Sequence, residues 1–177
     1  MVQERDTRLF QIEDMIRRLF RRKADVHLSN ALAKVHPAEA AQIFRNLETE
    51  ERQGAFAVIA DDEQRAEILA ECDDHIVSEL LEPMPNAEIV SLLKEIGSDD
   101  ARHILEALPE ERAGQVVEQM DVHESFAIED IMAYAPDSAG SIMSDSFAAF
   151  YEETTVEEVI GDVRKASEVD YVFYGHL

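Results

Sequence analysis

The chain has 177 residues, of which 16 are basic and 39 acidic, for a net charge of −23. Hydrophobic residues make up 46% and charged residues 31%, the balance of a folded, soluble chain, and no run approaches the roughly 20 apolar residues of a membrane span. A single cysteine, Cys72, excludes an internal disulfide and a multi-cysteine zinc site, and no apolar signal core opens the chain, so a cytosolic protein is expected.

Charge is unevenly spread. Residues 1–23 hold seven basic and four acidic residues, net +3, while the remainder holds nine against 35, net −26. A body this acidic repels nucleic acid and anionic lipid, and attracts cations or a basic surface.

From Thr7 to Lys23 the apolar residues Leu9, Phe10, Ile12, Met15, Ile16, Leu19 and Phe20 follow helical spacing, with most arginines on the other side. Two readings fit: a capping helix whose basic face lies against the acidic body or in water, or a contact with a membrane surface or an acidic partner through Arg17 to Lys23. A second short helix is expected over Ser29–Val35.

Pro37 to Met132 then reads as one short helix written eight times. Cutting before Pro37, Thr49, Asp61, Asp73, Asn86, Ser98, Pro109 and Asp121 gives steps of 12, 12, 12, 13, 12, 11 and 12 residues. The eighth column holds Phe44, Phe56, Ile68, Leu80, Leu93, Leu105, Val116 and Ile128, all apolar. Nine or ten helical residues span roughly 14 Å, too short for stability alone, so the copies must stack. Short connections make neighbours antiparallel, and the expected fold is mainly α: a superhelical solenoid of short antiparallel helices. Pro37 and Pro109 suit helix starts, whereas Pro83 and Pro85 in the 13-residue copy predict a jog. Cys72, beside the apolar stripe, is expected to be a buried, inert thiol.

Acidic residues gather in the first turns: Glu50-Glu51, Asp61-Asp62-Glu63, Asp73-Asp74, Asp99-Asp100 and Glu110-Glu111. There they cap backbone donors and complement the helix dipole, each worth about 0.3 to 1 kcal/mol. That explains most of them; several could also converge to offer oxygens to a hard divalent cation, magnesium being suited because it needs only one or two carboxylates. In the seventh column Glu67 and Glu79 interrupt a mostly apolar series, and a half-buried glutamate there needs an arginine, a second domain or a metal.

At Tyr134 the texture changes to a linker. A strand over Phe147–Tyr151, a helix capped by Thr154-Thr155 and running to Ala166, and a strand over Tyr171–Tyr174 are expected, the start of an α/β unit left incomplete at Leu177. The expected division is 1–133, helical with its repeat over 37–132, and 134–177.

Two stretches resemble the cytosolic part of the MgtE magnesium transporter and channel family. One is the repeat opened by Val35-His-Pro-Ala-Glu-Ala-Ala41. The other is Tyr134-Ala-Pro-Asp-Ser-Ala-Gly-Ser-Ile-Met-Ser144 followed by Thr155-Val-Glu-Glu-Val159, similar to the junction into that family's first CBS domain. The resemblance implies a regulatory N domain at the cytoplasmic face of the membrane that senses intracellular magnesium and is not an enzyme. Its partners would be CBS domains and the transmembrane pore of the same or a partner subunit, in a homodimer. It would neither bind nucleic acid nor insert in the bilayer. By the same resemblance Glu67, Asp99 and Asp100 fall at or beside the positions associated with interdomain Mg2+. The position four residues after Asp99, an aspartate in that family, is His103 here, and neutral imidazole is a poor magnesium ligand. The rival reading is an acidic interaction scaffold similar to flagellar motor-switch helical domains, binding a basic protein without sensing metal.

Overall fold

The computed structural model describes residues 2–121, 134, 138, 150–151 and 154–166. Nine helices follow one another in the first stretch: α1 (Val2–Arg21), α2 (Asp25–Leu32), α3 (Pro37–Asn46), α4 (Thr49–Ala57), α5 (Asp62–Ala70), α6 (Asp74–Leu81), α7 (Asn86–Leu93), α8 (Ser98–Glu106) and α9 (Glu110–Val117). The solenoid has two layers. One is the stack α1, α3, α5, α7, α9, in which each helix packs on the next; the other is α4, α6, α8. Helix α5 also packs on α8, and α8 on α9, which ties the layers together.

The seven copies within residues 37–120 each form a helix, and the eighth copy, after Asp121, lies outside the described residues with Ile128. The eighth column is the centre of the core: Phe44, Ile68, Leu105 and Val116 are fully buried and Phe56, Leu80 and Leu93 nearly so. A second buried column, not read from the sequence, closes six of the seven copies. The amides of Leu47, Ile59, Cys72, Met84, Leu108 and Met120 donate to the carbonyl three residues earlier, at 3.0–3.3 Å, and all six side chains are buried. That tight last turn stops each helix and returns an apolar side chain to the core before the next one starts.

Local chemistry explains the boundaries. Pro37 stands in the first turn of α3, and His36 Nδ1 accepts from the Ala38 amide at 3.3 Å. α6 stops at Leu81 and α7 starts at Asn86, so Pro83 and Pro85 occupy the turn between them, and the stacking of α5 on α7 and α6 on α8 continues past it. α1 ends where Lys23 takes φ 52°: its amide donates to the Phe20 carbonyl and the Ala24 amide to the Leu19 carbonyl, a Schellman closure. α1 starts earlier than the expected Thr7, and α2 occupies Asp25–Leu32 rather than Ser29–Val35, because the Schellman turn lets a new helix begin at once.

α1 is the capping helix. It packs on α2, α3 and α4, and Arg17 and Arg21 both reach Glu51 of α4, at 3.7 and 3.2 Å. Cys72 is buried, and burial pushes its thiol up to about 12, as an inert thiol requires.

Beyond the solenoid a helix spans Val156–Ala166, opened by a reciprocal capping box: the Thr155 amide donates to Glu158 at 2.9 Å and the Glu158 amide to Thr155 Oγ1 at 3.3 Å. Of the expected strand over Phe147–Tyr151, Phe150 and Tyr151 have no regular structure and the rest lies outside the described residues, as does Tyr171–Tyr174.

Candidate functional site

The arginines of the repeat are committed to holding the stack. Arg52 of α4 is buried; its Nε donates to the Phe44 carbonyl at 2.7 Å, Nη2 to the Leu47 carbonyl at 2.8 Å and Nη1 to Glu79 of α6 at 2.7 Å. Arg65 of α5 joins Glu88 of α7 at 2.7 Å and Asp62 at 3.1 Å. Arg112 of α9 reaches the Met84 carbonyl and, at 3.2 Å, Asn86 Oδ1. Arg45 holds Asp73 with two bonds of 2.7 and 3.0 Å. The two seventh-column glutamates therefore part company: Glu79 is half-buried with an arginine partner, while Glu67 is on the exposed side of α5.

The first-turn acids do not act as side-chain caps. Asp61 and Asp73 stand at N-cap positions, and neither side chain accepts a capping bond. Their contribution is to the dipole and, for Asp73, Asp62 and Glu51, to arginine pairs.

One first turn stands apart. Asp99 and Asp100 open α8, which packs against α5, and the turn at the end of α5 brings Glu71 towards them. Desolvation first, then the adjacent Asp99 carboxylate and, more weakly, Glu71, push the Asp100 carboxyl above its ordinary range, while His103 draws it down. His103, one turn further along α8, is held across the layer by the Cys72 carbonyl at 3.0 Å and lies 3.6 Å from Asp74. Glu71, Asp74, Asp99 and Asp100 thus line a negative face between the α5–α6 turn and α8. Glu67 of α5 lies four residues, one helical turn, before Glu71 at the C-cap of that helix. The sequence placed Asp74 among the first-turn acids but gave no notice of Glu71; the signal available was the i, i+4 spacing of Glu67 and Glu71. Among the described residues, no group of three or more His, Cys, Asp or Glu side chains is arranged to hold a metal ion. The face offers carboxylate oxygens without closing around an ion.

A family-level sequence model, the MgtE intracellular N domain, matches residues 35–137, which is 103 of the 177 residues. The chain belongs to this family. The MgtE N domain so defined opens on Val35 and spans the whole repeat. Two solved structures share the fold. The soluble part of a magnesium transporter aligns with TM-score 0.77 at 16% identity, over 94% of this chain and 65% of its own. The cytosolic domain of the Mg2+ channel MgtE in complex with ATP aligns with TM-score 0.81 at 22% identity, over 92% of this chain and 66% of its own. The chain therefore spans slightly less than two thirds of either structure. No functionally curated protein matches it. Among the described residues of this MgtE N domain, no helix is long and apolar enough to cross a membrane.

Proposed function

We propose that the chain is the magnesium-sensing regulatory part of an MgtE-type transporter, acting at the cytoplasmic face of the membrane. On this reading residues 1–133 form the sensor and 134–177 begin a CBS domain. Mg2+ sits between the acidic face of the sensor and the CBS domains of a homodimer, and its loss releases the sensor and opens the pore. Glu67, Asp99 and Asp100 are the proposed oxygen donors, and the domain has no catalytic role.

The observation that supports this most is the state of Asp100. Its carboxyl is partly desolvated beside Asp99 and Glu71, which raises the cost of its charge, and a cation at that face would lower it. A site with few protein ligands suits magnesium, which keeps several of its waters. The open geometry fits a site completed by oxygens from another domain. A body of charge −23 packs closely against an acidic neighbour only when cations offset the repulsion.

Thermal unfolding across micromolar to tens of millimolar Mg2+, against NaCl at matched ionic strength and against Ca2+, tests the reading. A midpoint rise specific to divalent ions, reduced in Glu67→Ala, Asp99→Ala or Asp100→Asn, supports it. If the 177-residue chain shows none, the same titration is made on a chain extended through two CBS domains. Absence of a divalent-specific rise there as well leaves the scaffold reading in its place.

A further inference from the structure

The acidic face does not involve the other end of the molecule, where α1 and α2 form an antiparallel hairpin. An apolar trough of about 710 Å³ runs between them, within the roughly 300–1,000 Å³ of small-molecule sites. Ile12, Met15 and Leu19 of α1 form one wall, and Ala31 and Val35 the other. His27 and Asn30 of α2 line it too, while its cationic residues, Arg8 and Lys34, lie towards the mouth. The hairpin closes where the Ala24 amide meets the Leu19 carbonyl, so Leu19 lies near the closed end. Arg8, eleven positions back along α1, lies about 16 Å away at 1.5 Å per residue. Lys34 lines the same trough ten positions beyond Ala24, and the 3.4 Å pair between Arg8 and Glu39 places Arg8 level with the end of α2. Two cationic side chains therefore line the open end; Arg8 is paired there with Glu39, whereas Lys34 makes no ion pair among the described residues.

We propose that this trough binds a single-chain anionic amphiphile, an alkyl carboxylate whose head meets Arg8 and Lys34 and whose tail lies on Ile12, Met15, Leu19, Ala31 and Val35. The asymmetry decides the ligand class. An acidic amphipathic helix spreads its charges along its length and would meet cations at one end only, whereas an amphiphile has one charged end and one apolar end. The trough length matches an extended chain of about twelve carbons at ordinary C–C bond lengths. The location fits as well: residues 1–23 carry net +3 while the rest of the chain carries −26, so an anion is repelled from most of the surface and tolerated here.

The test is calorimetric titration of the 177-residue chain with dodecanoate below its micelle concentration. One saturable site is expected, and dodecyltrimethylammonium, with the same tail and a cationic head, should show none. Lys34→Glu, an exposed position whose change leaves the fold intact, should weaken dodecanoate by about tenfold or more. Met15→Asp should abolish binding, with its thermal midpoint measured to confirm that the variant is folded; if it is not, Lys34→Glu decides alone. Equal binding of the two headgroups, or wild-type binding by Lys34→Glu, overturns the proposal. Binding to phosphatidylglycerol vesicles without saturable dodecanoate binding overturns it too, in favour of a membrane-surface contact.

Discussion

Arg52 Nη1 lies 2.7 Å from Glu79 Oε1, joining α4 to α6 across 27 positions of sequence. The same guanidinium closes the end of α3 through the Phe44 and Leu47 carbonyls. One side chain thus ties α3, α4 and α6 together, and Glu79 is the carboxylate that balances its charge.

Arg52→Ala is expected to destabilise the fold by about 2–4 kcal/mol, because it removes the buried bonds to the Phe44 and Leu47 carbonyls and leaves a half-buried carboxylate without its cation. Chemical denaturation should also show that Arg52→Ala/Glu79→Gln recovers part of the loss, since the unpaired charge is then gone. A double variant no better than the single one would mean that the carbonyl bonds account for the whole effect.

Gly54 marks the crossing of α4 and α1. A Cβ there would lie 2.1 Å from Phe20 Cε2, so Gly54→Ala forces the ring aside. The expected net cost is about 1–2 kcal/mol, the overpacking being partly offset by the better helix propensity of alanine. With Phe20→Leu the same substitution should become close to neutral. The melting temperatures of the four combinations measure this.

Lys23 is the non-glycine residue at positive φ among the described residues. Its place at the C′ position of a Schellman closure predicts that Lys23→Gly stabilises the protein by roughly 0.5–1 kcal/mol, by relieving the Cβ contact of the left-handed conformation. An increase in the denaturation midpoint checks it. A decrease would show that the basic side chain matters more at the end of α1 than the backbone strain.

Asp100 has a pH signature of definite sign. Its folded-state carboxyl binds a proton more readily than its unfolded one, so its contribution to stability is fully present below the ordinary carboxylate range and is lost as pH rises through the raised folded value. At neutral pH the ionised group is a liability. Asp100→Asn should therefore stabilise the metal-free chain, by less than about 1 kcal/mol because the site is open to solvent screening. The gain should shrink as pH falls towards 4. A pH series of melts on both proteins compares them, and a gain that is the same at every pH would remove Asp100 ionisation as the cause.

Much of the fold was legible because the solenoid repeats one local solution. The apolar eighth column, the proline-led helix starts and the Thr155–Glu158 capping box are short-range signals, and each lies where its pattern predicts. The closing column of Leu47, Ile59, Cys72, Met84, Leu108 and Met120 was harder to see, since it drifts between the eleventh and twelfth positions as the turn length varies. Of the candidate site, Asp99 and Asp100 are neighbours in sequence and so remain neighbours in space. Glu71 and Asp74 join that face only because α5 packs on α8 and α6 on α8.

The sequence by itself determined the architecture: a 12-residue period with one invariably apolar column can bury its surface only by stacking short antiparallel helices. Tertiary structure decided which carboxylates are drawn in against the arginines and which are exposed. Glu67 and Glu79 hold the same column of the repeat, yet Glu79 meets Arg52 while Glu67 faces outward on α5. That difference depends on a contact 27 positions apart, of a kind the period allows for every copy and the packing makes for only some.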